Sequence, residues 1–484
     1  MNFAVDVVEG ADPEALALVE LDRAGARREH RFGAVAEAVR TLAAHLHQAG
    51  VRRGDVVLTL AGNQPDWVVA MVACFRQGYA VLPCTEQLRA KDLMLRLDVA
   101  RPAAVVADGR NAEVLEEAGW DGPTIWAPGV MDWPAPAPAA VPPPADLQPL
   151  DPCLITFTSG TAGEPKAVLH GQRYLEGQRL QAEHWLAARP GDLVWCTAAS
   201  GWSKSARNVF IAPWLRGAAA LLHDARFDPA ERLDILERER VDVLCMAPTE
   251  YRVIAKRVPL RRFARLRALV AAGEALNPEV LHAWRDATGL EIRDGYGQTE
   301  TGQLTGNLEG EPARAGSMGR ALPGVRLWID DGELVADPAT VPTFFLGYLG
   351  DEPADPGTPW RTGDRVIQDR DGYLFFEGRT DDVIISAGYR IGPFEVESAL
   401  VAHPAVAEAA VVAAPDEERG SVVRAIVVLR DGHAPSDDLA RALQDHVKGL
   451  TAPYKYPRIV DFADDLPKTS SGKVRRALLR GEST

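Results

Sequence analysis

Thr158-Ser-Gly-Thr-Ala-Gly-Glu-Pro-Lys166 is a run of small, hydroxylated and flexible residues that closes on a proline and a lysine. Gly160, Ala162 and Gly163 carry almost no side-chain bulk, so backbone N–H groups there can approach an anion closely. Thr158, Ser159 and Thr161 add hydroxyl donors, and Lys166 adds a mobile positive charge. Just upstream, Cys153-Leu-Ile-Thr-Phe157 has the composition of a short buried strand, which puts the loop at a strand end, where ligands usually bind. A polyphosphate cradle is the natural reading, with a flexible surface turn as the bland alternative. The stretch is not a P-loop: GxxxxGK[ST] needs lysine directly after the second glycine, and here Glu164 and Pro165 intervene.

Outward from this loop the chain alternates helical and strand-like patterns. Val35, Val39, Leu42 and Leu46 form a helical stripe, residues 55–60 a strand, Trp67 to Phe75 an apolar helix and residues 103–107 another strand. The rhythm resumes with strands at 193–197, 218–222, 241–246 and 266–271, which predicts mainly parallel sheets covered by helices. Residues 134–149 (PAPAPAAVPPPADLQP) suit neither helix nor sheet and predict a semi-rigid extended connector. The last hundred residues read as a separate small α+β module. Phe394 to Leu400 is helical, 406–414 and 422–429 are strands, and 436–450 is an amphipathic helix with Leu439, Leu443, Val447 and Leu450 on one face. Ser436 is its N-cap, with Asp437 and Asp438 in the first turn. The boundary falls near Arg379 to Asp382.

At 484 residues the chain exceeds one ordinary core, and two or three domains are expected. A composition of 46% hydrophobic and 25% charged residues is that of a soluble globular protein. No apolar run reaches bilayer-spanning length, and Asp6 and Glu9 near the start argue against a signal peptide. Cysteines at 74, 84, 153, 196 and 245 show neither CxxC spacing nor an even framework, as expected of reduced thiols in the cytoplasm. A formal charge of −15 argues against a nucleic-acid partner. An anionic ligand then needs a local basic patch, for which Lys448, Lys455, Arg458, Lys468, Lys473, Arg475, Arg476 and Arg480 are candidates; a solvated basic tail is the alternative.

Further motifs follow in order. Asp294-Gly-Tyr-Gly-Gln-Thr-Glu300 places an aromatic that can stack on a base beside a hard-oxygen ligand suited to Mg²⁺. Trp360-Arg-Thr-Gly-Asp364 offers a carboxylate able to accept both hydroxyls of a ribose. Gly378-Arg-Thr-Asp-Asp382 precedes Ala387-Gly-Tyr-Arg-Ile-Gly-Pro393, and Leu466-Pro-Lys-Thr-Ser-Ser-Gly-Lys473 puts a lysine on a glycine-hinged loop.

These motifs resemble, in order and over nearly the whole chain, those of the adenylate-forming superfamily of acyl-CoA synthetases, adenylation domains and luciferases. The resemblance implies an α/β N-terminal domain over residues 1–380, with mixed, mainly parallel sheets and a small β-rich part, and a mobile α+β C-terminal domain over 381–484. It implies that ATP and AMP are held by Thr158, Ser159, Gly160, Thr161, Gly163, Lys166, Glu274, Ala275, Asp294, Gly295, Tyr296, Gly297, Gln298, Asp364 and Arg379. Lys473, Thr299 and Glu300 match catalytic positions, with Glu300 the Mg²⁺ ligand, and Asp381 matches the hinge. Ala387, Gly388, Tyr389, Arg390, Arg419 and Lys448 match positions that meet coenzyme A.

Within the superfamily, strings such as Gly201-Trp-Ser-Lys-Ser-Ala206 and Ala247-Pro-Thr-Glu-Tyr-Arg252 are most similar to medium-chain acyl-CoA synthetases. Trp202 and Gly297 then belong to the acyl pocket, Gly297 standing where acetate-specific relatives carry tryptophan. The chain departs from that pattern in having no acidic residue in Thr197-Ala-Ala-Ser200, as an unusual acyl substrate would allow. The activity implied is an ATP- and Mg²⁺-dependent carboxylic acid:CoA ligase acting on a medium-length, branched or cyclic acid. A stand-alone enzyme loading an acyl carrier protein and a non-catalytic nucleotide-binding protein are the alternatives. Monomer and homodimer both stay open.

Overall fold

A computed structural model describes residues 1–128, 131, 133, 141–158, 165–274, 276, 278–387, 389–468 and 474–481. Strands Val56–Leu60, Ala80–Cys84 and Pro152–Phe157 are near-continuous apolar runs, as buried strands with helices on both faces must be. They form the middle of a seven-stranded sheet, in the order Gly347–Tyr348, Ala167–Gly171, Pro152–Phe157, Ala80–Cys84, Val56–Leu60, Ala104–Asp108 and Thr124–Ala127. A second sheet has nine strands; Ile292–Gln298, Ala268–Ala272, Val243–Met246, Leu193–Cys196 and Ala219–His223 run parallel in its centre. Helix Pro65–Gln77 is buried on every face, and Gly78 ends it in the left-handed region at φ +67°. Its Trp67 and Phe75 join Phe3, Phe210 and Trp214 in an aromatic cluster with ring centroids 5.2–6.5 Å apart. An antiparallel sheet of Leu327–Asp330, Glu333–Ala336, Trp360–Gln368 and Leu374–Arg379 completes the large lobe.

The small lobe starts with the hairpin Ile384–Ser386/Tyr389–Ile391. Helix Pro393–Val401 leads to the long antiparallel pair Val406–Asp416/Gly420–Leu429, which Ile459–Phe462 joins in parallel. Helix Asp437–Leu450 begins as its sequence dictates, the Ser436 hydroxyl accepting the Leu439 N–H at 3.1 Å. Leu443 and Val447 are buried with Leu439 half-buried beside them, but Leu450 is 59% exposed. The apolar stripe therefore stops one turn earlier than the sequence pattern predicts, because the last turn lies outside the cluster the helix covers.

The loop at 158–166 stands at a strand end, as expected, and joins the antiparallel strands Pro152–Phe157 and Ala167–Gly171. The described part of the proline-rich segment, 141–149, forms neither helix nor strand, as expected of a connector, and it is packed onto the large lobe. Arg76 donates to the Pro142 carbonyl at 2.8 Å, the Ala145 N–H donates to Arg76 at 3.0 Å, and Leu147 is buried. All five cysteines are free and buried, and the strands bring Cys196 and Cys245 into register opposite each other. Among the described residues no helix is long and apolar enough to cross a membrane.

Asp66 sits in the first turn of the buried helix, with one carboxylate oxygen 3.4 Å from the Met131 N–H and the other without a partner among the described residues. Burial pushes its pKa up to about 6, so the folded state holds this proton more tightly than the unfolded chain. The stabilisation from that proton is fully present below about pH 4 and is lost as pH rises through about 6. Asp66→Asn is expected to raise unfolding free energy at pH 7.5 by about 3 kcal/mol, with the gain vanishing below pH ~4. Urea melts of both proteins at pH 4, 6 and 7.5 measure it; a gain independent of pH would contradict this titration.

Candidate active site

The hairpin loop is closed at its base by mutual bonds: the Thr158 N–H donates to the Lys166 carbonyl at 2.9 Å, and the Lys166 N–H to the Thr158 hydroxyl at 3.1 Å. Ser159, Gly160, Thr161 and Gly163 lie outside the described residues. Thr158 and Lys166 border a cleft of about 1280 Å³ that runs between the two large sheets, the antiparallel sheet and the small lobe.

The strand Ile292–Gln298 carries Asp294, Gly295, Tyr296, Gly297 and Gln298 into this cleft, and Thr299 and Glu300 follow at its end. Asp364, from the strand Trp360–Gln368, is held from three sides. The Tyr296 hydroxyl donates to one carboxylate oxygen, Gln298 Nε2 donates to the same oxygen at 2.8 Å, and Arg379 donates to the other at 3.3 Å. Gln298 is in turn fixed by Trp360 Nε1 at 2.9 Å and by its own bond to the Thr362 carbonyl at 2.7 Å. Burial pushes the Asp364 pKa up against these donors, and burial beside Asp364 holds the Tyr296 phenol protonated. A carboxylate offers about four acceptor positions, so the clamp leaves Asp364 capacity for a ribose hydroxyl.

Glu300 accepts the Tyr348 hydroxyl at 2.9 Å, and Lys166 Nζ sits 4.8 Å above the Tyr348 ring. Glu274 accepts the Thr249 hydroxyl at 2.7 Å; Ala275 lies outside the described residues. Asp294 is buried and accepts the Gly295 N–H at 2.9 Å, and burial raises its pKa well above the usual carboxylate range despite Lys204 nearby. Trp202 is half-buried at the cleft wall, 6.0 Å from Lys204 Nζ.

From the small lobe the cleft is lined by Phe394, Glu397, Lys468, Val474 and Arg476 among others. Lys468 and Val474 pair in an isolated antiparallel bridge, closing the loop that carries Lys473, itself outside the described residues. Arg476, just after Val474, donates through one terminal nitrogen to both Glu397 oxygens at 2.7 and 2.8 Å. The described residues expected to meet coenzyme A do not line the cleft. Tyr389 stacks on Tyr454 at 4.3 Å, Arg419 accepts the Ala387 N–H at 3.0 Å, and Lys448 pairs with Asp445 at 2.9 Å. Gly388 and the Arg390 side chain lie outside the described residues.

The expected basic patch is largely neutralised from within. Lys448, Lys455, Lys468 and Arg476 each pair with carboxylates of the small lobe, and Arg480 pairs with Asp382. Gly297 also departs from its reading as an opening for a longer acid. A Cβ there would meet the carbonyl of Gly302 on the neighbouring strand well inside van der Waals contact, so glycine is required by the close approach of two backbones. The residues missed in the sequence are Tyr348, Trp360, Lys204 and Arg207, all on the cleft wall. Arg207 directly follows the string ending at Ala206, and a lone arginine entering the apolar run Val209-Phe-Ile211 was the available signal.

The model for the AMP-binding enzymes matches residues 7–342, and that for the AMP-binding enzyme C-terminal domain matches 395–473. An uncharacterized acyl-CoA ligase of Bacillus subtilis, YtcI, is 38% identical over 498 residues, covering 96% of this chain and 92% of that protein. The human mitochondrial acyl-coenzyme A synthetase ACSM4 is 38% identical over 528 residues, covering 99% and 90%. The crystal structure of the anthranilate CoA ligase AuaEII in complex with anthranoyl-AMP matches with a TM-score of 0.87 at 28% identity, covering 99% and 96%. The chain belongs to the adenylate-forming AMP-binding enzymes, resembling their medium-chain acyl-CoA synthetases. It is an AMP-forming acid–thiol ligase, using ATP to join a carboxylic acid to coenzyme A.

If Gly297 serves backbone packing, Gly297→Ala alone is expected to cost about 2 kcal/mol or more of stability. Gly297→Trp is then expected to unfold or shift the strand pair rather than resize a pocket. Urea melts with ligand-free protein measure this; a Trp variant of native stability whose acid preference has merely shortened would restore the pocket reading.

Proposed function

We propose that the acid is medium-length, branched or cyclic, and that the cleft forms its acyl-adenylate before the small lobe turns to admit coenzyme A. The observation carrying this reading is the pose of the small lobe: Lys468 and Val474, which flank Lys473 in sequence, line the cleft with the nucleotide clamp, while Ala387, Tyr389, Arg419 and Lys448 do not.

A carboxylate is a poor acyl donor because its leaving group would be oxide. In the first half-reaction a carboxylate oxygen attacks the ATP α-phosphorus, the bond to the β-phosphate oxygen breaks, and pyrophosphate leaves. In the second, the thiolate attacks the acyl carbon and AMP leaves. The protein aligns anions and spreads developing charge rather than bonding to them. Asp364, held by Tyr296, Gln298 and Arg379, takes the ribose. The 158–166 loop and Lys166 take the phosphates, Thr299 faces the α-phosphate, and Lys473 bridges the reacting carboxylate and that phosphate. Glu300 fits a magnesium ion: it is a hard-oxygen donor held by Tyr348, with no cation paired to it among the described residues. One carboxylate suffices where phosphate oxygens and water complete the shell, and bound Mg²⁺ would neutralise phosphate charge.

Lys473 would block the thiol, so it must leave between the steps. Thr380 is tied to the large lobe, its N–H donating to the Gly363 carbonyl at 2.8 Å, while Asp382 is tied to the small lobe by Arg480 at 2.7 Å. Asp381 lies between the two sets of anchors with an exposed side chain, and we assign it the pivot and the domain boundary. Rotation there withdraws Lys473 and brings the 387–390 turn to the cleft.

An acid panel assayed for pyrophosphate release with and without coenzyme A tests the reading; activity confined to acetate, or none from C4 to C8 and aryl acids, would refute the substrate class. Lys473→Ala is expected to lose adenylation on the order of a hundredfold or more while still converting supplied acyl-AMP and coenzyme A. Asp381→Pro, by fixing φ near about −65°, is expected to do the reverse, keeping adenylation and losing thioester formation. Equal loss of both steps in either variant would remove that residue from its assigned role.

A further inference from the structure

A buried cation lacking a countercharge forms part of the cleft wall. Arg207 opens the helical segment Arg207–Ile211, 5% exposed, and lines the cleft with Trp202 and Lys204. Its Nε and one terminal nitrogen have no hydrogen-bond partner, and no carboxylate pairs with it, among the described residues. Arginine cannot shed its proton to escape such a position, and an unpaired buried charge is strongly unfavourable.

The titratable groups nearest Arg207 give no relief. Burial pushes His170 down to about 3, so it is neutral. Burial pushes the Tyr174 phenol up, so it is neutral too. The Cys245 thiol donates to the Cys196 sulfur, which together with burial pushes the Cys245 pKa up. Lys204 adds a second positive charge to the same wall, its ammonium donating to the Ala272 carbonyl at 2.9 Å. None of these segments contributes to the Asp364 clamp or to the Glu300–Tyr348 pair.

We propose that Arg207 receives a second carboxylate carried at the far end of the acid, so that the enzyme selects dicarboxylic acids over monocarboxylic acids of the same length. The inference rests on the acid:CoA ligase reading and specifies its substrate. A guanidinium presents parallel N–H donors matched to a carboxylate, and in a water-poor wall that pair is completed only by the ligand. The reacting carboxylate is already assigned to Lys473, which leaves the second carboxylate for Arg207. A cleft built around such a group also discriminates strongly against an analogue that leaves it unpaired.

The test is a pyrophosphate-release assay on matched pairs from C4 to C8, for example hexanoate against hexanedioate, with wild type, Arg207→Met and Arg207→Lys. Binding of the same acids with a non-hydrolysable ATP analogue is followed in parallel by thermal shift. Wild type is expected to favour the diacid about a hundredfold or more in kcat/KM for at least one length, and Arg207→Met to bring that ratio to one or below. Arg207→Lys should fall between them, and ligand-free Arg207→Met should melt no lower than wild type, since it removes an unpaired charge. A wild-type preference for the monoacid at every length overturns the proposal. So does an equal loss on both acids of a pair in Arg207→Met, which would put Arg207 on the reacting carboxylate. Should Arg207→Met not fold, the wild-type panel and Arg207→Lys decide by the same ratios. Turnover of monoacids without diacid preference sinks this inference and leaves the ligase reading intact. No turnover of any acid sinks the substrate reading instead, and Arg207 is then judged by whether diacids raise the wild-type melting temperature more than monoacids do.

Discussion

The hold on the Asp364 carboxylate is the interaction on which the rest of the site depends. It joins three pieces of chain far apart in sequence: Tyr296 and Gln298 from the nine-stranded sheet, Asp364 itself, and Arg379 at the end of the last strand of the large lobe. A buried carboxylate with no donors would protonate or drag water into the cleft; with several it stays an oriented acceptor. Arg379 is also the last cation before the pivot, bonding the Asp381 carboxylate at 3.3 Å as well as Asp364. The group that orients the nucleotide therefore borders the segment that must move, so nucleotide occupancy and lobe position are mechanically adjacent.

Charge is arranged to suit anionic ligands on an acidic protein. Among the described residues the small lobe satisfies most of its own cations in pairs, such as Arg476 with Glu397 and Lys455 with Glu395, which tie its elements together. Such cations are occupied in this pose, and a surface pair like Lys448–Asp445 is weak enough to yield to a phosphate. On the large lobe the reverse holds: Lys166, Lys204 and Arg207 line the cleft without carboxylate partners among the described residues, so the field they make falls on the ligand.

The catalytic geometry also explains why a glycine can mislead. Gly297 stands in a motif about ligands, yet a Cβ there would meet the Gly302 carbonyl of the adjacent strand; a Cβ on Gly295, two residues earlier, would likewise run into the Gln303 side chain and lie 2.7 Å from Trp185 Nε1. Two glycines on alternate positions let the strand lie against its neighbours closely enough to present Tyr296 and Gln298 to Asp364.

The sequence by itself determined the element types and their order, because burial on two faces demands apolar strands and buried helices demand apolar stripes. Residues 55–60, 193–197 and 241–246 read correctly for that reason, and Ser436 marked its helix through a local cap. Ordered motifs further pointed to the adenylate-forming family. Tertiary structure alone decided what spans distance. It closed the 158–166 loop as a hairpin, set Cys245 opposite Cys196, turned Arg476 inward onto Glu397, brought Tyr348 to Glu300, and left Arg207 buried without a partner among the described residues. Periodicity and capping act within a few residues of themselves and so are written locally. A hydrogen bond between residues 48 or 79 positions apart has no local signature, because it exists only once the sheets and lobes have packed.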